Sequence, residues 1–134
     1  MVRTAIFPRG RQETYERFGY SAAIRSGDLL FVSGQVGARE DGTVVEDPRA
    51  QIDLAFENLR QVLDAAGCSL DDIVDVTSFH VDMFEHFETF GAAKQEAFPE
   101  QPFPNWTAVG VTTLADPALI VEIKVVARIP SPPN

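Results

Sequence analysis

Cysteine, histidine and positive charge are all scarce in this chain. A single cysteine, Cys68, excludes an intrachain disulfide and fits a reducing compartment. His80 and His86 are the only histidines, and neither has cysteine or acidic companions at zinc-ligand spacing, so no metal is expected. Eleven Lys and Arg against twenty Asp and Glu leave a formal charge of −9, which disfavours nucleic acid, because phosphate-backbone affinity comes largely from cationic side chains. Arg3, Arg9, Arg11 and Arg17 give the N-terminal segment a local basic bias that reads as a solvated surface. No glycine-rich phosphate loop precedes a helix, and Ser33-Gly34-Gln35 lacks the glycine-x-serine-x-glycine frame of a nucleophile elbow. Neither a nucleotide cofactor nor a hydrolase triad is supported. Long apolar runs are missing too: the most apolar stretch, Leu119 to Ala127, is interrupted by Glu122 and Lys124, and the opening Met1 to Pro8 lacks the apolar core of a signal peptide. A cytoplasmic protein that does not insert into membranes is expected.

What is present suits one folded domain spanning 1–134. Its 45% hydrophobic and 23% charged residues are ordinary for a globular protein and wrong for a disordered one. Tyr20 to Arg25, the turn Ser26-Gly27-Asp28 and Leu29 to Gln35 read as a β-hairpin. Gly34 inside its second strand marks either a bulge or a close approach by a ligand or backbone. Asp47-Pro48 reads as an N-cap and first helical residue, followed by apolar Ile52, Ala55, Phe56, Leu59, Val62, Leu63 and Ala66 on one helical face, with Gly67 as the stop. Ser69 to Asp72 is a capped turn before the strand Ile73 to Val81. Phe84, Phe87, Phe90 and Phe98, with Ala92, Ala93 and Ala97, mark a second amphipathic helix whose phenylalanines read as core. Trp106 to Thr112 and Leu119 to Arg128 close the domain as strands, and the tail 130–134 reads as loose.

This order predicts an α+β domain in which one sheet carries both helices on one face. In the last strand Val121, Ile123, Val125 and Ala127 share the helix side. Glu122, Lys124, Val126 and Arg128 then face a partner subunit or a wet cleft, which argues for a closed symmetric oligomer.

The chemistry-bearing candidates are few. Glu122 lies in an otherwise apolar strand, where a carboxylate must be solvated, paired or used; burial would raise its pKa and suit it to general-base work on water. The alternative is a surface pair with Lys124 or Arg128. Trp106, the sole tryptophan, follows the proline-stiffened Pro102-Phe103-Pro104 and reads either as a pocket wall or as a large core residue. Gly34 can expose backbone N–H groups, Tyr20 can add a hydroxyl and a flat wall, and Cys68 reads as a small buried side chain.

Gly27 to Gln35, Ala55 to Gly67 and Leu119 to Ile123 together resemble the Rid family, also called YjgF-like, over nearly the whole chain. Tyr20 to Gly37 and Pro104 to Val111 look most like its YjgH-type branch. The resemblance implies a chorismate-mutase-like fold, a homotrimer and ligand pockets in the clefts between subunits. It also implies metal-free, cofactor-free hydrolysis of enamines and imines, with Glu122 at the attacking water and Tyr20 and Gly34 at pocket positions; stacking by Trp106 and a backbone contact from Ala108 are the further ligand contacts expected. In such enzymes an arginine clamps the substrate carboxylate at the place held here by Trp106, and an indole cannot replace a guanidinium fork. Gly91 stands where many relatives carry a polar side chain. The expectation is a cleft favouring a flat, neutral or weakly charged ligand, with Arg25, Arg39 or Arg128 of a neighbouring subunit as possible substitute cations. A non-catalytic metabolite-binding or regulatory trimer is the alternative, and ribonuclease activity, attached to some relatives, fits the acidic chain least.

Overall fold

The computed structural model describes residues 2–131, so the part of the tail from 132 onward lies outside the described residues. The element order is β1 (Thr4–Ile6), α1 (Gln12–Arg17), β2 (Ala23–Ser26), β3 (Leu29–Val36), α2 (Pro48–Ala65), β4 (Ile73–His80), α3 (Met83–Ala97), β5 (Asn105–Gly110) and β6 (Val121–Arg128). The strands form one mixed sheet in the order β1-β2-β3-β6-β4-β5. All neighbours are antiparallel except β4 and β5, which run parallel and are bridged in sequence by α3. Parallel neighbours need such a crossover.

The hairpin β2–β3 turns through Gly27 at φ 65°, the left-handed region that the turn requires. Asp47 caps α2 by accepting a hydrogen bond from the Ala50 backbone N–H at 2.9 Å, and Pro48 fills the first turn. Beyond α2, Ser69 and Asp72 form a reciprocal capping box on a short 3₁₀ turn. The β6 alternation holds: Val121, Ile123, Val125 and Ala127 are buried, whereas Glu122 and Val126 are half-buried and Lys124 and Arg128 exposed.

The core lies between the sheet and the helices. Leu30, Val32, Val76, Ile123 and Val125 meet Ile52, Phe56, Leu59 and Leu63 of α2 and Phe90 and Ala93 of α3. Gln51 is fully buried on α2, and its amide is satisfied by the carbonyls of Val45 and Ala118 and by the Ile120 N–H, which ties the loop before β6 to the helix.

Three expectations are corrected. Among the described residues the α-helices number three, not two: the short α1 and the three-residue β1 precede the hairpin. Phe84, taken as core, is fully exposed, because it belongs to the outward stripe of α3 with Glu88, Ala92 and Gln95. Of the N-terminal arginines, Arg3, Arg9 and Arg17 are solvated, but Arg11 is half-buried with its Nε shielded from water. Among the described residues no helix is long and apolar enough to cross a membrane.

Candidate functional site

Gly34 sits at a bulge. The β3–β6 register slips between Val32 and Gln35, and Glu122 of β6 pairs with Val36 on one side and Phe79 on the other. The Glu122 carboxyl group lies directly over Gly34, so that a Cβ added there would come within 2.6 Å of Glu122 Cδ. The bulge reading of Gly34 therefore holds, and the close neighbour is the Glu122 side chain, not a backbone.

Glu122 has no ion pair among the described residues, and Arg128, one of its expected partners, is taken by Asp28 at 3.0 Å. Desolvation raises the Glu122 pKa above the ordinary carboxyl value. Tyr20 lies in the same field: burial, then Tyr15 and then Glu122 push its phenol pKa up, while Arg11 opposes them. The Tyr20 ring meets Tyr15 edge-on, with centroids 5.0 Å apart. Tyr20, Gly34 and Glu122 are thus assembled around one bulge.

Trp106 and Ala108 are elsewhere within the chain. They pair with Val76 and Ser78 of β4, on the helix side of the sheet, whereas Glu122 pairs with Phe79 on the opposite side. The indole stacks on Phe87 at 5.6 Å and 9°, its Nε1–H donates to Ser78 Oγ at 2.8 Å, and the Lys94 ammonium stands 4.1 Å from the ring centroid. Ser78 in turn is 2.7 Å from His80 Nε2, which links the indole to a buried polar pair. Desolvation lowers the His80 and Lys94 pKa values.

Arg25 and Arg39 are exposed and bonded locally, to the Gly27 carbonyl and the Thr43 hydroxyl. Cys68 is buried with its thiol pKa raised mainly by desolvation, which disfavours the reactive thiolate.

A cavity of about 140 Å³ opens at the bulge between α1, α2 and β3, with Arg11, Tyr15, Tyr20, Gly34 and Asn58 in its wall. Sequence reasoning missed the contribution of α1, which is too short for helical periodicity to register and has Tyr15 as its one buried side chain.

A helix-backed mixed sheet with a cavity at a bulged strand defines a small α+β architecture. The chain belongs to the L-PSP/YjgF family, the Rid family of the sequence resemblance: residues 11–129 match the family described as Endoribonuclease L-PSP. It is 61% identical over 128 residues to the RutC family protein YjgH of Escherichia coli (strain K12), covering 96% of each chain. It is also 33% identical over 97 residues to a 2-iminobutanoate/2-iminopropanoate deaminase of Dermatophagoides farinae, covering 71% of this chain and 74% of that one. The solved structure of protein YjgH superimposes with a TM-score of 0.90 at 59% identity, over 98% of this chain and all of the other.

Proposed function

We propose that this protein is a metal-free hydrolase of small imines or enamines, with Glu122 as the base that activates water. The observation that carries the reading is the Glu122 carboxyl group: half-buried, without an ion pair among the described residues, raised in pKa and laid over the side-chain-free Gly34 beside Tyr20. A desolvated carboxylate is a stronger base than a solvated one.

In the reaction, an enamine first tautomerises to the imine; Glu122 then takes a proton from water as the water oxygen bonds to the imine carbon, and passes that proton to the nitrogen. The carbinolamine collapses as its hydroxyl proton moves through Glu122 to the nitrogen and the C–N bond breaks, so that ammonia leaves a carbonyl product. In this reading, backbone N–H groups at the Gly34 bulge hold the substrate. The deaminase name of the Dermatophagoides farinae relative supports this class.

Assembly as a homotrimer belongs to the same proposal. Trp106 and Ala108 face the helix side and Glu122 the other, so a pocket containing all of them requires a second subunit. The apolar Phe31 and Val109, both at least partly exposed, suit such a contact on the Glu122 side.

The test is ammonia release from imines generated in situ by an amino-acid oxidase. Glu122→Gln should lower turnover at least about a hundredfold with the melting temperature retained. Because the base acts ionised and its pKa is raised, kcat/KM should fall as pH drops through a value above about 4.5. Unchanged turnover in Glu122→Gln sinks the mechanism. A non-catalytic binding trimer is the second reading, favoured by an indole committed to Ser78 and Phe87 where a clamping arginine is expected; ligand binding without turnover in the wild type would select it. Ribonuclease activity is disfavoured by the net charge of −9.

A further inference from the structure

The cavity at the Gly34 bulge contains a cation that the hydrolase reading does not use. Arg11 caps α1 and lies in the cavity wall, and its Nε is buried with no hydrogen-bond partner among the described residues. The guanidinium as a whole is half-buried in the wall, and an anion seated in the cavity would offset the desolvation of its permanent charge. By contrast Arg25, Arg39, Arg49, Arg60 and Arg128 all have partners within the chain.

The surroundings suit an anion. On a protein of net charge −9, the cavity wall contains no aspartate or glutamate. The Tyr15 hydroxyl accepts from Gln35 Nε2 at 3.4 Å, and among the described residues its phenolic proton has no acceptor. Tyr20 and Phe18 supply flat apolar walls, and about 140 Å³ is roughly the room that a benzene-sized molecule takes.

We propose that Arg11 is the anion-receiving residue of this cavity and that its ligand is a small organic acid, held with its carboxylate on the guanidinium and its body between Tyr20 and Gly34. Paired N–H donors and a permanent charge make arginine the side chain fitted to a carboxylate. Arg11 thus supplies from α1 the cation that position 106 lacks, and the family's acid-gripping character is relocated rather than lost. Gly34 borders both groups: it lines the cavity, and the Glu122 carboxyl group lies over it. The role of Arg11 as substrate grip rests on the Glu122 reading above; its binding of a carboxylate does not.

The experiment compares butanoate with butanamide, which share a shape and differ in charge, by following arginine Nε–H cross-peaks in ¹H–¹⁵N spectra of the full chain. Butanoate should shift one cross-peak saturably, and that cross-peak should be the one absent in Arg11→Lys; butanamide should leave it in place. Arg11→Gln should weaken butanoate binding at least tenfold, and Arg11→Lys should weaken it less. Equal binding of acid and amide, or unchanged binding by Arg11→Gln, overturns the proposal, and tighter binding of inorganic phosphate at equal ionic strength overturns the carboxylate assignment. Should Arg11→Gln not fold, the wild-type spectra and Arg11→Lys decide. Loss of the Arg11 signal together with a Glu122-dependent hydrolase sinks only the grip. Butanoate binding through Arg11 together with Glu122-independent hydrolysis sinks only the base.

Discussion

At Gly34 the absence of a side chain is what lets Glu122 hold its place. An added methyl group would collide with Glu122 Cγ, Cδ and a carboxyl oxygen, and these atoms belong to the flexible part of a side chain, not to backbone. Gly34→Ala should therefore expel the carboxyl group while costing only about 1 kcal/mol or less of stability. Turnover should fall to the Glu122→Gln level, and paired thermal melts and ammonia-release assays check both halves. Single residues were legible in the sequence where the chain pattern isolates them: Glu122 is the acidic interruption of an apolar strand, and Gly34 is the glycine inside a strand. Arg11 was not legible, because burial of one arginine at a helix cap leaves no periodic trace and its neighbours Arg9 and Arg17 are ordinary solvated cations. For Trp106 the sequence left pocket wall and core residue both open, and it is the register of its edge strand with β4 that turns the ring toward α3 and the core.

Among the elements, α3 shows how angular position outranks composition. Four phenylalanines on and just after it suggest a uniform core face, yet Phe90 and Phe98 are buried, Phe87 stacks on the indole, and Phe84 points outward. Gly91 occupies the same helix with nothing within 4 Å of a built Cβ. Gly91→Ala should raise stability by about 0.5–1 kcal/mol through backbone entropy alone, read as a higher denaturation midpoint at constant m. A lower midpoint would mean that this position is covered in the assembled protein. The longer elements were readable in advance because each carries several periods of its pattern: the six apolar positions running down α2 and the strict alternation of β6 leave little choice. A three-residue β1 and a six-residue α1 contain less than two full periods, and tertiary contacts fix them instead.

Over the whole molecule, acid should act first through His80. The ring is buried against Phe87 and Phe90 beside Ser78, and burial holds its pKa below the ordinary imidazole value. The unfolded chain then binds the proton more readily, so this contribution to stability is complete above about pH 6.5 and declines as pH falls toward the depressed folded value. Denaturant melts across pH 7 to 5 should show that decline, and His80→Asn should flatten it; an equal decline in the variant would place the acid response elsewhere. The same arrangement gives the molecule an optical label of its own. Because the chain has one tryptophan, wedged between a phenylalanine ring and a lysine ammonium from a single helix, its emission registers whether that helix is seated on the sheet margin. Partial undocking of α3 can thus be timed separately from collapse of the rest, with no dye attached.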